Sequence, residues 1–266
     1  MQAVAAEDLG TALCIITGAS RGFGRTIAVQ MSELVRPGSV LVLVARSGED
    51  LRMLQADLTA SKAGKAGVVV EYVVADLGVK EGVENVVKAF KRRSSEDFDH
   101  VILVNNAGSL GTSCYAKTFT DMADVDSYLS FNVSSTLCLS ACVLEAFPRR
   151  AGLRRTVVNV SSLCALQPFK SWVLYCSGKA ARDMMFRVLA EEDPDVRVLS
   201  YAPGPLNTAM FEEASTKTFD TSLKNSFKDM IAKGEVLTCE ASCAKLMTLL
   251  LKDEYISGVH IDFYDI

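Results

Sequence analysis

A tyrosine and a lysine stand four residues apart in the segment WVLYCSGKAARDMMF, at Tyr175 and Lys179. The segment has a helical pattern, and this spacing places both side chains on one helix face, about one turn apart. The pKa of an unperturbed tyrosine is about 10, and a neighbouring cation lowers it because it stabilises the phenolate. We therefore expect Lys179 to lower the pKa of Tyr175 and make it a general acid.

A glycine-rich segment, TGASRGFG at 17–24, follows the first apolar run and opens a helical pattern. Gly18, Gly22 and Gly24 allow the backbone to turn tightly and approach a pyrophosphate, which the N–H groups of a helix N-terminus can bind. A glycine cluster alone is weak evidence, because many are plain turns. Between a strand and a helix it predicts a dinucleotide site. A hydride donor beside a proton donor predicts a carbonyl reductase.

The end of the second apolar run distinguishes NADP from NAD. An NAD site carries an acidic residue there, which binds the ribose 2′-OH. This chain has Arg46 instead, and Arg21 in the glycine-rich turn can reach the same place. Because an arginine pairs with a 2′-phosphate, the sequence favours NADP. The alternative is that Arg46 only covers a strand end at the surface.

Two further strand ends are candidates for cofactor contacts. Asp76 and Leu77 follow the third apolar run and are placed to meet the adenine, although Asp76 could equally cap the next helix. The segment Asn105-Asn106-Ala107-Gly108 ends the fourth run, where small residues would let the cofactor lie close. A plain Asn/Gly turn is the alternative.

Ser161 and Ser162 end the fifth apolar run, shortly before Tyr175. Ligands of open parallel sheets bind at the carboxyl ends of the strands. A hydroxyl there can hold a substrate carbonyl toward the tyrosine. A lone serine at a strand end is usually a turn former, so this prediction depends on the combination of motifs.

Short apolar runs alternate with longer amphipathic segments along the chain. The predicted strands are 12–17, 39–45, 68–75, 100–106, 156–161, 196–202 and 259–264. The predicted helices are 23–35, 48–62, 79–93, 121–147, 172–191 and 240–251. This alternation predicts an α/β fold: a doubly wound, Rossmann-like, mostly parallel seven-stranded sheet in a single domain over 1–266. The polar segment 206–236 breaks this alternation and is interpreted as an excursion over the strand ends that could serve as a lid.

The bulk composition excludes several classes of protein. With 28 Lys and Arg against 32 Asp and Glu, the net charge is −4, and no basic patch indicates nucleic acid. The eight cysteines have no metal-site spacing and neither histidine is near a cysteine pair, so we predict no metal site and reduced thiols. The first ten residues carry no basic residue, so we expect no targeting signal in them. No apolar run approaches the roughly 20 residues of a membrane span. We expect a cytoplasmic protein with no membrane partner.

The order TGxxxGxG, NNAG, Ser and YxxxK resembles the short-chain dehydrogenase/reductase family. The resemblance implies that Tyr175 protonates a carbonyl oxygen, Lys179 holds the nicotinamide ribose, Ser162 holds the substrate oxygen and Asn132 supports a proton relay through water. It also implies that APGPLNT at 202–208 clasps the carboxamide end of the nicotinamide. The implied cofactor-binding residues are Gly18, Ser20, Arg21, Gly22, Phe23, Gly24, Arg46, Asp76, Leu77, Asn105, Ala107, Gly108, Tyr175, Lys179, Pro203, Gly204, Leu206, Thr208 and Met210.

Within this family, the segments around the predicted site look like those of members that reduce pterin side-chain carbonyls with NADPH. The resemblance is weakest at 1–11, 47–67, 111–128 and 212–240. It implies a small-molecule pterin substrate with Asp262 as its anchor, since a carboxylate can accept two N–H bonds from the ring. Without it, a carboxylate near the C-terminus would be considered solvated. The implied substrate-binding residues are Ser162, Leu163, Tyr175, Gly204 and Asp262.

Apolar residues near these motifs could form the wall of the pterin pocket, although most such residues are core. They are Leu110, Leu163, Cys164, Phe169, Trp172 and Met210. The predicted helices 121–147 and 172–191 have apolar faces that would suit a homodimer, as would those of ordinary core helices.

Three other functions stay open from the sequence. A short-chain reductase of broader specificity would act on aldehydes, diketones, quinones or steroids. A non-catalytic NADP-binding regulator would keep the glycine-rich turn but would have little need of Ser162, Tyr175 and Lys179 together. A structural oligomerisation module would explain none of the motifs.

Overall fold

Seven strands form one parallel sheet in the computed structural model, which describes residues 8–266. The strands are β1 (Ala12–Thr17), β2 (Val40–Ala45), β3 (Val69–Val74), β4 (His100–Asn105), β5 (Arg154–Val160), β6 (Val196–Ala202) and β7 (Val259–Asp262). Their order is β3-β2-β1-β4-β5-β6-β7, which confirms the predicted fold class. Residues 1–7 lie outside the described part. The prediction that the first ten residues hold no targeting signal falls mostly on them and stays a prediction.

The order of the strands creates the crevice in which the site lies. The chain moves outward from β1 to β3 and then returns to place β4 on the other side of β1. Helices leave this switch point toward opposite faces of the sheet, so a crevice opens beyond the carboxyl ends of β1 and β4. The central strands β1 and β4 are buried throughout, which explains their continuous apolar runs.

Ten α-helices are found in residues 8–266. They are α1 (Gly22–Leu34), α2 (Gly48–Ala60), α3 (Lys62–Lys65), α4 (Lys80–Lys91), α5 (Met122–Leu129), α6 (Ser135–Ala146), α7 (Val173–Glu192), α8 (Ala209–Lys217), α9 (Thr221–Lys233) and α10 (Cys239–Lys252). One core cluster lies on the α1, α2 and α10 side of the sheet, and a second lies on the α4 and α6 side.

The segment 206–236, predicted as an irregular excursion, holds helices α8 and α9. Thr208 and Asp220 cap their N-termini through side-chain hydrogen bonds, and Gly234 ends α9 in a left-handed conformation. These capping residues mark helix ends in the sequence, although the polar composition of the segment indicated an irregular structure. Tertiary contacts stabilise both helices, because Phe227 of α9 and Ala214 of α8 are buried against Trp172 and Tyr175.

The predicted helix 121–147 is widened by one π-helical turn where Asn132 lies. A π-helical turn, Ser130–Ser134, separates α5 from α6. Such π turns appear mainly as single widened turns, often at functional sites. The turn keeps the helix continuous while changing the direction in which its side chains point.

The whole helical segment Met122–Ala146 is long and apolar enough to cross a membrane, with a mean hydropathy of 1.3 in its most apolar window. The prediction that no apolar segment approaches this length is therefore wrong on length and composition. One such helix is weak evidence for a membrane span, because core helices of globular proteins have the same properties. A share of 33% of that window is buried inside the fold.

Candidate active site

Tyr175 and Lys179 lie on the same face of α7, as their spacing predicts. The Lys179 ammonium nitrogen is 5.5 Å from the centroid of the Tyr175 ring. Both residues are buried, with exposed fractions of 8% for Tyr175 and 7% for Lys179. The Lys179 Nζ donates a hydrogen bond of 2.6 Å to the carbonyl oxygen of Val160, the last residue of β5. This bond fixes the lysine at the carboxyl edge of the sheet.

Ser162 lies two residues beyond the end of β5, next to this pair. It begins a short 3₁₀ helix, Leu163–Ala165, whose N-terminus it caps: its hydroxyl oxygen accepts from the backbone N–H of Cys164 at 3.2 Å. The serine hydroxyl also hydrogen-bonds to the Tyr175 side chain. The structure thus brings Ser162, Tyr175 and Lys179 together.

The predicted downward shift of the Tyr175 pKa is not found. Burial raises the pKa of Tyr175 above its ordinary value, and the Ser162 hydrogen bond and the positive charge of Arg182 only partly offset this effect. Burial and the charge of Arg182 also lower the pKa of Lys179 well below its usual range. The four-residue spacing reveals the neighbouring ammonium but not the removal of both groups from water. Tyr175 therefore holds its proton at neutral pH, as a proton donor must.

The glycine-rich turn fits a dinucleotide phosphate. A Cβ atom on Gly24 would lie 2.3 Å from the Gly18 carbonyl oxygen and 2.4 Å from the Asn106 Nδ2 atom, so only glycine allows this close approach. The Asn106 amide holds the turn by donating to the carbonyl oxygens of Thr17, at 2.9 Å, and Gly18, at 3.2 Å. Asn106 lies in the predicted NNAG motif, but its tie to the turn is visible only in the fold.

The N-terminus of α1 is available to an anion. Its N-cap residue, Arg21, makes no side-chain capping hydrogen bond, and its first turn contains no acidic residue. The first N–H groups and the positive end of the helix dipole are therefore uncompensated by side chains. Ser20 precedes this end, while Phe23 is buried in the core and stacks on Tyr201 with ring centroids 6.4 Å apart.

Both arginines predicted to read the 2′-phosphate are exposed at the carboxyl edge. Arg46 directly follows β2, and its guanidinium carbon lies 5.7 Å from the centroid of the Phe131 ring. The Ala19 N–H of the glycine-rich turn donates to the carbonyl oxygen of Val44 at 3.1 Å, so the turn lies against the end of β2. Arg21 and Arg46 are thus at the same side of the crevice.

Asp76 and Leu77 follow β3 at the same edge. Asp76 Oδ1 accepts from the Gly78 N–H at 2.9 Å, which forms a turn. The alternative that Asp76 caps α4 is wrong, because the N-cap residue of α4 is Val79. Leu77 is buried in the core, so only its backbone can face a ligand.

The NNAG segment and Asn132 are linked by hydrogen bonds. Asn132 Oδ1 accepts from the Ser109 N–H at 2.8 Å, and Asn132 Nδ2 donates to the Tyr128 carbonyl oxygen at 2.9 Å. The Asn132 side chain therefore ties the π turn to the loop that follows Gly108. Its predicted role in a water relay stays a prediction. Asn105 is buried and donates to the Ser140 hydroxyl at 3.0 Å.

The predicted nicotinamide segment runs from the end of β6 into α8. Ser242 donates to the Pro203 carbonyl oxygen at 2.8 Å, and Leu206 forms a bridge with Leu237, which anchors the segment on both sides. Thr208 caps α8 and its methyl group would lie 3.2 Å from a Cβ atom on Gly22, so this segment meets the glycine-rich turn. Met210 is exposed in the first turn of α8.

Asp262, the predicted pterin anchor, ends β7 and pairs in register with Ala202 of β6. Its Oδ1 accepts from the Tyr264 N–H at 3.0 Å and so caps a short 3₁₀ helix, Phe263–Asp265. A Cβ atom on Gly204 would lie 3.6 Å from Phe263, so Gly204 is beside this turn. Leu163 is 39% exposed at the start of its own 3₁₀ helix.

Aromatic side chains cover Tyr175 on the outer side of the crevice. Trp172 packs edge-on against Tyr175, with ring centroids 5.4 Å apart, and stacks on Phe169 at 6.0 Å and on Phe227 at 5.2 Å. Phe227 was missed because it lies in the segment predicted as irregular. A cavity of about 270 Å³ opens beside Trp172. It is lined by Leu110, Gly111, Thr112, Ser113, Trp172, Glu213, Lys217 and Thr218.

A buried polar network behind the site was missed from the sequence. Its centre is formed by Arg182 and Asp183, with exposed fractions of 1% and 3%. Arg182 donates to the carbonyl oxygens of Asn105 and Ala107, at the base of the NNAG segment. The signal was present in the spacing, since positions 175, 179, 182 and 183 repeat on one helix face.

The cysteines and the metal-ligating side chains show no further site. All eight cysteines are free. In the part of the chain from residue 8 onward, no group of three His, Cys, Asp or Glu side chains could hold a metal ion.

The chain is similar in sequence to a known family and to characterised proteins. The short chain dehydrogenase family model matches residues 12–218. Sepiapterin reductase of Xenopus laevis is 52% identical over the full length of both chains. Sepiapterin reductase of Bos taurus is 50% identical over 97% of this chain and 96% of its own.

A solved structure gives the same relationship in three dimensions. L-Sorbose reductase from Gluconobacter frateurii, in complex with NADPH and L-sorbose, is 26% identical with a TM-score of 0.75, over 97% of this chain and 96% of its own. The predicted motifs, the sheet order and the family match all agree. The chain is an oxidoreductase that belongs to the short-chain dehydrogenase/reductase family and has its nicotinamide cofactor site.

Proposed function

We propose that this protein uses NADPH to reduce carbonyl groups on the side chain of a pterin, as sepiapterin reductases do, and so serves tetrahydrobiopterin biosynthesis. The observation that carries the proposal is the Ser162–Tyr175–Lys179 group at the carboxyl edge of the sheet, in a chain 52% identical to a sepiapterin reductase. The substrates that follow are sepiapterin and 6-pyruvoyl-tetrahydropterin.

The chain's own residues bind, orient and protonate the substrate. A bound nicotinamide cofactor supplies the hydride for the carbonyl carbon. Ser162 holds the carbonyl oxygen, and Tyr175, which keeps its proton because burial raises its pKa, donates that proton to the oxygen. The Lys179 cation stabilises the negative charge that develops on the carbonyl oxygen and on the phenol oxygen of Tyr175. Trp172 and Phe227 exclude water from the Tyr175 ring.

The preference for NADP rests on charge at the adenosine side of the crevice. Arg21 and Arg46 are both exposed there, and the end of β2 carries no acidic residue before Arg46. An arginine pair stabilises a 2′-phosphate, whereas the 2′-OH of NAD gains little from it.

In this proposal the pterin ring lies between the aromatic side chains around Trp172 and the end of β7. Asp262 is half-buried at the carboxyl end of β7, and its hydrogen bonds within residues 8–266 use Oδ1 and the backbone N–H. Its carboxylate can accept N–H groups from the ring amide and amino group. The same proposal gives Leu163 and Gly204 contacts with the substrate.

A cytoplasmic homodimer is part of the proposal. Helices α6 and α7 expose apolar side chains, among them Leu137 at 52%, Met184 at 55% and Val188 at 45%. A second copy of the chain would cover these side chains by the same face, as in the two-fold dimers common among soluble proteins.

A spectrophotometric assay of NADPH oxidation tests the function. We expect turnover of sepiapterin with NADPH that exceeds turnover of benzil, a simple diketone, and falls strongly when NADH replaces NADPH. Equal or greater turnover of benzil would favour the broader carbonyl reductase. Absence of turnover with every carbonyl, alongside intact NADPH binding, would favour the non-catalytic regulator.

A further inference from the structure

The Asp183 carboxylate joins three segments that carry the candidate active site. Its Oδ1 accepts from the Ser161 hydroxyl at 2.6 Å and from the Asn159 Nδ2 at 2.9 Å; Asn159 lies in β5 and Ser161 directly follows it. Its Oδ2 contacts the Nδ1 of His260, on β7, at 2.6 Å. Asp183 itself lies on α7, one turn after Lys179. One carboxylate thus connects the neighbours of Ser162, Lys179 and Asp262.

The donor and the acceptor of the hydrogen bond between His260 and Asp183 can be assigned. An ionised carboxylate only accepts, so the hydrogen lies on the imidazole Nδ1. The other ring nitrogen, Nε2, is buried and has no hydrogen-bond partner among residues 8–266. Among the described residues, Asp183 is therefore the hydrogen-bond partner of the imidazole, and this bond ties α7 to β7 two residues before Asp262.

Asp183 is also the anion of a buried cluster with two cations. Lys179 and Arg182 carry the positive charges, and burial disfavours both. The other titratable groups that face Lys179 and its partners are Tyr175 on α7, Cys164 from the 3₁₀ helix, Tyr128 from α5 and His260 from β7. The charge of Asp183 raises the pKa of Lys179 and opposes the lowering by burial and by Arg182.

We propose that Asp183 is a positioning residue for the reduction: it holds Asn159, Ser161 and His260 in register behind the turn of α7 that carries Lys179, and it supplies a negative charge near the Lys179 side chain. The inference rests on the proposed function only for its kinetic test. Without the carboxylate, two cations would face each other in a buried site and Lys179 would lose its proton at lower pH. The three donors would also lose their common acceptor.

The experiment compares Asp183→Asn with the wild-type protein by two independent measurements. The ionisation of Lys179 is followed by NMR of protein labelled at lysine 13Cε, with Lys179→Met identifying its signal. We expect its midpoint to move about 1 to 3 pH units lower in Asp183→Asn, the effect of losing one nearby opposite charge. We also measure kcat for sepiapterin with NADPH as a function of pH. We expect the alkaline limb of this pH profile to move to lower pH, with a smaller change in the KM for NADPH.

Two further variants separate charge from packing. Asp183→Glu keeps the charge but displaces the three hydrogen bonds, so kcat should fall while the alkaline limb keeps its position. Asp193→Asn makes the same change at the C-terminus of α7, where Asp193 pairs with Arg155 at 3.1 Å, and should move neither the limb nor the NMR midpoint.

An unchanged Lys179 midpoint in Asp183→Asn would overturn the inference, whether or not the protein reduces sepiapterin. Failure of the wild-type protein to reduce any pterin would overturn the proposed function and leave the NMR test in force. If Asp183→Asn does not fold, Ser161→Ala removes one of the three donors. It is then expected to lower kcat several-fold with an unchanged KM for NADPH, and an unchanged kcat would overturn the inference.

Discussion

Replacing Tyr175 with phenylalanine removes one hydroxyl from the centre of the site and little else. The Tyr175 ring is buried and packs edge-on against Trp172, with ring planes 77° apart. A phenylalanine ring keeps that contact and the volume. The change removes the proton donor and its hydrogen bond with Ser162.

The expected loss of activity is large and the expected loss of stability is small. General acid catalysis contributes about 10²- to 10⁴-fold to a rate, which corresponds to about 2.7 to 5.4 kcal/mol of activation free energy. The hydrogen bond contributes about 1 kcal/mol to the free energy of unfolding. Binding of NADPH should change little, because the glycine-rich turn and the N-terminus of α1 are untouched.

The assay measures kcat for sepiapterin from NADPH oxidation, together with NADPH affinity from fluorescence and the midpoint of thermal unfolding. Tyr255→Phe is the matched control, since Tyr255 is buried to a similar degree, at 9%, and lies beside Arg197 at the start of β6. A Tyr175→Phe protein with near-normal kcat would refute the assignment of the proton donor. A large loss in Tyr255→Phe as well would show that the effect is structural.

Three other perturbations test the cofactor site and the dimer. Arg46→Ala should raise the KM for NADPH about ten-fold, because a charged hydrogen bond is lost, and leave the KM for NADH unchanged; an equal rise for both would contradict the NADP preference. Gly24→Ala should lower the thermal midpoint and abolish its increase on adding NADPH, because the new Cβ would lie 2.3 Å from the Gly18 carbonyl oxygen; a normal NADPH response would contradict this reading of the turn. Leu137→Glu with Met184→Glu should convert a dimer to a monomer in light scattering after size-exclusion chromatography, and a wild-type monomer would exclude the proposed interface.

The buried hydrogen-bond network of Arg182 and Asp183 fixes α7 against the sheet. Arg182 and Asp183 bond to backbone and side chains of three strands, so the helix that carries Tyr175 cannot shift independently of the sheet. A buried hydrogen-bond network of this kind is costly to disturb, because each broken bond leaves a polar group unpaired away from water. The candidate active site is therefore held rigid from behind and is open only toward the crevice.

The sequence by itself determined the features that depend on short-range order. The apolar runs predicted seven parallel strands, because a strand covered on both faces needs continuous apolar residues. The spacing of Tyr175 and Lys179 predicted a shared helix face, because helical geometry repeats every 3.6 residues. The order of the motifs predicted which strand ends meet at the crevice, because all seven strands run in the same direction.

Tertiary structure alone decided the features that depend on what surrounds a residue. The direction of the Tyr175 pKa follows from burial by Trp172 and its neighbours, which no four-residue spacing contains. Helices α8 and α9 depend on the burial of Ala214 and Phe227 against the site, which overrides their polar composition. The link from Asp183 to His260 joins residues 77 positions apart. Burial, charge balance and hydrogen-bond partners depend on residues from distant parts of the chain, so only the folded chain fixes them.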